Sequence, residues 1–301
     1  MSIERSTLFE SEIPLPSDPI RDSATRLVGF AARYERLRRD LRLLADPDGV
    51  RAWSKKHHKR ELPVCDAVAQ RYPLVIFGGD VGTGKTATAM GVSDRLARES
   101  KRDAMLFKLS TRVRGAGRVG EMSTLINQAF EAVVQESGRQ RSAFLVIDEA
   151  DSLTASRDAD HSHHEDKVAV NTIIQRIDDL RRLGGRVLVI LCTNRRAALD
   201  PAVVRRAARI EVFDRPTEAE REELLRMDLE GLDLGERALR ELVEATGPRD
   251  DGRTPGFTFS DLRGRLLPEA VGHAFPDRAL TAADLLAAAR SIGPSPRILD
   301  E

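Results

Sequence analysis

The chain has 301 residues, 48 Lys+Arg against 48 Asp+Glu, a formal net charge of zero, and 41% hydrophobic residues. That is apolar material enough for a packed core, so wholesale disorder is excluded. The balanced charge and the 4% aromatic content argue against a globally basic nucleic-acid binder or a base-stacking platform.

Residues 1–24 are polar, carry three prolines and show no period, so they read as an arm rather than a domain. Over 24–44 the apolar residues Leu27, Phe30, Ala31, Tyr34, Leu37, Leu41 and Leu44 recur at helical spacing. Asp46-Pro47-Asp48-Gly49 stops that run. The basic stretch 55–60 (KKHHKR) reads as a solvated surface loop, with a polyanion contact as the alternative. Cys65 and Cys192 lie far apart in no metal-ligand spacing, which excludes a disulfide framework and fits a reducing cytosol.

Short apolar runs at 73–77, 104–109, 143–147, 186–192 and 209–213 then alternate with helical stretches at 86–100, 122–137 and 168–183. Continuously apolar strands separated by helices predict an α/β domain, a five-stranded parallel sheet with helices on both faces. Beyond Pro216 the spans 218–229, 234–245, 260–274 and 281–291 all read as helices. The expected organisation is an arm (1–24), a large α/β domain (25–215) and a small all-α C-terminal domain (216–301). No stretch approaches the ~18 apolar residues of a membrane helix, so no membrane role is expected and cytoplasm is the expected compartment.

Gly79-Asp80-Val81-Gly82-Thr83-Gly84-Lys85-Thr86 satisfies G-x-x-x-x-G-K-[ST] in full, between an apolar strand and a helix. Glycines let successive backbone N–H groups point inward and cradle a polyphosphate. The helix opening at Lys85 adds its positive N-terminal dipole. Lys85 suits the β- and γ-phosphates, and the Thr86 hydroxyl suits Mg2+. Residues Gly79 to Ala87 are thus expected to hold ATP. Further on, the strand Phe144-Leu145-Val146-Ile147 delivers Asp148 and Glu149 at its C-terminal end, the ligand-binding edge of open α/β sheets. Asp148 is expected to help hold Mg2+, and Glu149 to polarise the water that attacks the γ-phosphate. Asn194, at the end of a later strand, is expected to orient that water. The arginines of 199–209 (LDPAVVRRAAR) offer a guanidinium to a charged transition state, or else form a surface salt-bridge cluster.

In this order, these motifs and the helical C-terminal stretch resemble the AAA+ ATPases over residues 25–290. The resemblance implies ATP hydrolysis with Mg2+, a homohexameric ring with nucleotide between neighbours, and an arginine finger given in trans. By position Arg206 is the first candidate finger and Arg209 the second. The segment 256–262 (GFTFSDL) resembles a lid segment near which many members place a nucleotide-contacting arginine. Ser260 occupies the aligned position here, so Arg263, three residues on, becomes the candidate sensor.

The blocks 147–157 (IDEADSLTASR) and 170–178 (VNTIIQRID) are more narrowly similar to the pachytene-checkpoint AAA+ ATPases. That likeness implies remodelling of a HORMA-domain protein. For bacterial relatives in cyclic-oligonucleotide antiphage (CBASS) systems it implies disassembly of a HORMA–nucleotidyltransferase complex. A generic unfoldase, an initiator- or clamp-loader-type ATPase on DNA, and a nucleotide-gated scaffold are the alternatives. The chain departs from its eukaryotic counterparts in having only about 24 residues, rather than an adaptor domain, before the first expected helix. A first pore loop is expected within 112–121, with Arg118 and Val119 at its tip where an aromatic grip is usual. The stretch 158–166, rich in His and Asp, reads as a charged loop, a second pore loop or a metal site. Trp53, Phe257 and Phe259 are expected in packing.

Overall fold

The computed structural model describes residues 5–110, 121–138, 141–154, 164–249 and 251–297. In chain order the elements are α1 (Arg5–Leu8), β1 (Phe9–Leu15), α2 (Asp18–Thr25), α3 (Phe30–Ala45), α4 (Pro47–His58), α5 (Val64–Ala69), β2 (Leu74–Gly79), α6 (Lys85–Ser100), β3 (Asp103–Leu109), α7 (Glu121–Glu136), β4 (Arg141–Ile147), α8 (Asp151–Thr154), α9 (His164–Leu180), β5 (Val187–Thr193), α10 (Pro201–Val204) and β6 (Arg209–Phe213). There follow α11 (Glu218–Asp228), α12 (Gly235–Ala245), α13 (Phe259–Asp261), α14 (Leu267–Ala274) and α15 (Ala282–Ser291).

The expected five strands form the parallel part of the sheet, in the order β3-β4-β5-β2-β6. Because side chains alternate along a strand, each apolar run feeds two cores at once. Leu74, Ile76, Leu145, Val189 and Leu191 face one side, where they pack with Ile126 and Phe130 of α7 and Ile173 and Ile177 of α9. Val75, Phe77, Phe144, Val146 and Ile190 face the other, against Tyr34, Leu37 and Leu41 of α3 and Val92 and Leu96 of α6. Burying each large side chain stabilises the fold by about 1.5–3 kcal/mol. Helices α11–α15 enclose a separate apolar core around Leu224, Leu242, Leu262, Leu266 and Leu285. Cys65 and Cys192 are both wholly buried, and both belong to the α/β part. No helix among the described residues is long and apolar enough to cross a membrane.

Four expectations change. Residues 5–24, expected as part of an arm, carry helices and a strand. Phe9–Leu15 adds a sixth strand, antiparallel on β3 from Phe9↔Leu109 to Leu15↔Ala104, with the Phe9 ring 4.9 Å from that of Phe107. The helical run expected over 24–44 breaks at Gly29, whose φ of 72° lies outside the helical region. Residues 55–58 are no loop: they end α4, capped at its start by Asp46, whose Oδ1 accepts the Gly49 N–H at 3.1 Å. Lys and His in the last turn complement the helix dipole there, and 55–60 are exposed as expected. Finally, 260–274 is not one α-helix. It widens into a π-helical turn at Leu262–Leu266 just before Pro268, whose missing N–H removes a regular helical bond. Trp53 is half-exposed against the rings of His57 and His58, whereas Phe257 is buried in the helical core. The expected pore loop with Arg118 and Val119 lies, but for Glu121 at the start of α7, outside the described residues, as does most of the stretch 158–166.

Candidate nucleotide site

The turn between β2 and α6 is set by two close approaches. At Gly79 (φ 152°) a Cβ would collide with the backbone carbonyl of Phe213 in β6. At Gly82 (φ 71°) it would sit 2.7 Å from Ser260 Cβ and Thr258 Oγ1. Only glycine lets the loop pass so near its neighbours. Inside the turn the buried Lys85 ammonium donates to the carbonyl oxygens of Gly79 at 3.0 Å and Asp80 at 2.6 Å. Burial, the largest influence, lowers its pKa below the ordinary lysine value, against nearby acidic groups that raise it. The amine is thus held inside the glycine-rich turn at the start of α6, and a helix N-terminus attracts phosphate.

The parallel sheet brings the other expected residues to this edge. The Thr86 hydroxyl donates to Asp148 Oδ2 at 2.8 Å, so a hydroxyl and a carboxylate stand side by side beside the turn. Two hard oxygens with room for water are what Mg2+ takes, since it binds through one or two carboxylates and keeps several waters. Glu149 follows, exposed, with φ 48°, its N–H donating to Asp148 Oδ1 at 3.0 Å. Asn194 is partly buried at the end of β5. Asp151 ties β4 to β5 there: its Oδ1 accepts from Thr193 Oγ1 at 2.8 Å and from the Asn194 N–H at 3.4 Å.

The three arginines singled out from sequence lie apart from this cluster, each engaged within the chain. Arg206 makes a bidentate pair with Asp178 of α9, at 2.6 and 2.9 Å, and its guanidinium stands 5.3 Å from the Tyr72 ring centroid. Arg209 contacts Glu211 at 3.4 Å, in a group where Arg33 and Arg36 also reach that buried carboxylate. Arg263 pairs with Asp228 at 2.5 and 3.1 Å, and Arg26 joins the same carboxylate. From the helical segment, Thr258 and Ser260 meet the turn at Gly82, and the Ser260 N–H donates to the Gly82 carbonyl at 3.1 Å.

The family described as ATPase family associated with various cellular activities (AAA) matches residues 75–215, from β2 to the end of the α/β part. A protein named CD-NTase-associated protein 6, from Escherichia coli (strain KTE188), is 52% identical over 295 residues, 98% of each chain. The chain belongs to the AAA ATPase family. A chain in the structure of the E. coli MS115-1 HORMA:CdnC:Trip13 complex superposes with a TM-score of 0.90 at 40% identity, covering 99% of this AAA ATPase and 100% of that chain. The structure of Rhizobiales Trip13 follows at a TM-score of 0.72 and 37% identity, covering 96% and 99%.

Sequence reading missed two groups at this site of the AAA ATPase. Lys108 of β3 lies 3.9 Å from Asp148 Oδ2 and 3.0 Å from Glu10. Arg215, just past β6, is nearly buried and donates from Nε to Asp80 Oδ2 at 2.5 Å. A lone basic residue on a strand or in a connection carries no motif. The only available signal was its place, Lys108 near the carboxyl end of a strand and Arg215 two residues after one.

Proposed function

We propose that this protein hydrolyses ATP with Mg2+ and uses the energy to remodel a HORMA-domain protein, releasing a bound nucleotidyltransferase of a cyclic-oligonucleotide antiphage system. The observation that carries the nucleotide half is the Thr86–Asp148 pair set against the glycine turn and Lys85. The likeness to CD-NTase-associated protein 6 and to a chain of the HORMA:CdnC:Trip13 complex supports the partner half.

Each residue then has a task. The backbone of Gly79–Ala87 and Lys85 bind the phosphates; Thr86 and Asp148 would hold Mg2+, which would polarise the phosphate oxygens. Glu149 takes the proton of the attacking water and Asn194 orients that water. Arg206 is the first candidate for stabilising the transition state in a neighbouring copy of a homohexamer, with Arg209 second. To act so, Arg206 exchanges or shares its Asp178 partner. Arg263, paired with Asp228, would have to release it before sensing nucleotide.

Glu149→Gln keeps the shape of the side chain and removes the base. It should bind ATP as the parent does and release phosphate about 10²–10⁴-fold more slowly. Turnover at the parent rate would overturn the role of Glu149. Separately, mixing the protein and ATP with a HORMA–nucleotidyltransferase complex should free the enzyme partner. A complex that survives intact while phosphate is released would sink the remodelling reading and leave the ATPase reading standing.

A further inference from the structure

We propose that Arg215 is a positioning residue that ties the state of the phosphate turn to the placement of the helical region. The proposal rests on the nucleotide reading above. The Arg215 side chain is 8% exposed, and its guanidinium serves three chain segments at once. Nε donates to the Asp80 carboxylate at 2.5 Å, Nη1 to the Gly256 carbonyl at 2.7 Å, and Nη2 to the Pro296 carbonyl at 3.0 Å. Asp80 belongs to the phosphate turn. Gly256 opens the loop that leads into α13, and Pro296 follows α15.

A guanidinium is planar and its N–H groups have fixed directions. The three acceptors are therefore locked into one mutual geometry, and a shift of the helical region relative to the turn must break at least one bond. The pair is shielded from water, with Asp80 only 12% exposed, so breaking it leaves a charge poorly solvated.

Asp80 is also the group through which the site would act on Arg215. Its carbonyl accepts Lys85 Nζ at 2.6 Å and Thr83 Oγ1 at 2.7 Å, and its Oδ1 accepts the Val81 N–H at 2.8 Å. Its own N–H donates to Phe213 at the end of β6. Binding of a phosphate draws Lys85 from the Asp80 carbonyl, and the carboxylate of the same residue holds Arg215. A second link runs parallel, from the Ser260 N–H to the Gly82 carbonyl at 3.1 Å. The two links join residues 80–82 of the turn to residues 256–260, which makes Ser260 a natural reporter.

Hydrogen exchange of residues 256–262 in the full chain tests this, with and without Mg2+ and a non-hydrolysable ATP analogue. Analogue binding should alter exchange there by at least about fivefold in the parent, whereas in Arg215→Ala binding persists and the response falls below about twofold. Arg215→Lys should respond like Arg215→Ala, because one ammonium on a flexible stem cannot hold a carboxylate and two separate carbonyls. A merely structural need for positive charge would instead be met by lysine. A parent-like response in either variant overturns the proposal. Should Arg215→Ala fail to fold, Arg215→Lys and Arg215→Gln carry the test. A parent that binds the analogue with no change at 256–262 sinks this coupling alone. A parent that binds no analogue sinks the nucleotide reading and the coupling with it.

Discussion

Glu149 is one of three non-glycine residues, with Lys59 and Lys101, whose backbone takes a positive φ among the described residues. A non-glycine residue at φ 48° carries about 1–2 kcal/mol of strain. Such strain persists where the surrounding structure holds it in place, here β4 behind it and the Asp148 carboxylate on its N–H. Glu149→Gly relieves the strain but gains about 0.5–1 kcal/mol of unfolded-chain entropy to lose. Chemical denaturation should therefore find it as stable as the parent to within about 1 kcal/mol, while phosphate release collapses. A large loss of stability would show that the glutamate side chain is part of the scaffold. Gly82→Ala should go the other way. A Cβ 2.7 Å from Ser260 and Thr258 at positive φ costs about 1–3 kcal/mol. It should also push residues 258–260 away from the turn, read as faster exchange of the Ser260 amide.

At the scale of elements, the junction of α13 with the C-terminal segment depends on one carboxylate. Asp261 is buried, which alone would raise its pKa. Bonds from the Ser295 hydroxyl, the Thr258 N–H, the Ser295 N–H and the Thr258 hydroxyl outweigh burial and hold it below the ordinary aspartate value. The unfolded value is about 3.9, so the stabilisation is complete above that pH and is lost as pH falls through the lower folded value. Acid titration followed by exchange at 258–262 should show this junction loosening below about pH 4. Asp261→Ala, which strands buried donors, should cost about 1–3 kcal/mol at neutral pH. Strand β1 is the other sensitive element: Phe9→Ala should lower stability by about 3–5 kcal/mol, and a change near zero in thermal or chemical unfolding would deny it a place in the core. That strand was also the part of the fold least legible beforehand. Its polar Glu10, Ser11 and Glu12 and its register shift between Phe9 and Ser11 hide the two-residue period, and prolines mask what remains. Strands β2, β4 and β5 were legible because they are buried on both faces and so apolar over most of their length. The glycine turn and the places of Thr86, Asp148 and Glu149 beside it were legible because local spacing and the flanking strands mark them. The partners of Arg206 and Arg263 were not, since Asp178 and Asp228 meet them only through the tertiary fold, from distant helices.

At the scale of the whole molecule, the proposed function asks Lys85 and Arg206 of different copies to meet at one reaction centre. Lys85 sits at the phosphate turn, whereas Arg206 lies on α9 through Asp178. If the arginine serves a neighbour, Lys85→Ala and Arg206→Ala should each be inactive alone and recover part of their phosphate release when mixed. A mixture no better than its components would remove Arg206 from that role. The burial of both sulfurs has a practical corollary. Thiol reagents reach Cys65 and Cys192 only when the α/β part opens, so the rate of alkylation is a clock for that opening. The helical region holds no sulfhydryl of its own, so a dye placed there on an introduced cysteine would report its swing without labelling the rest of the native molecule.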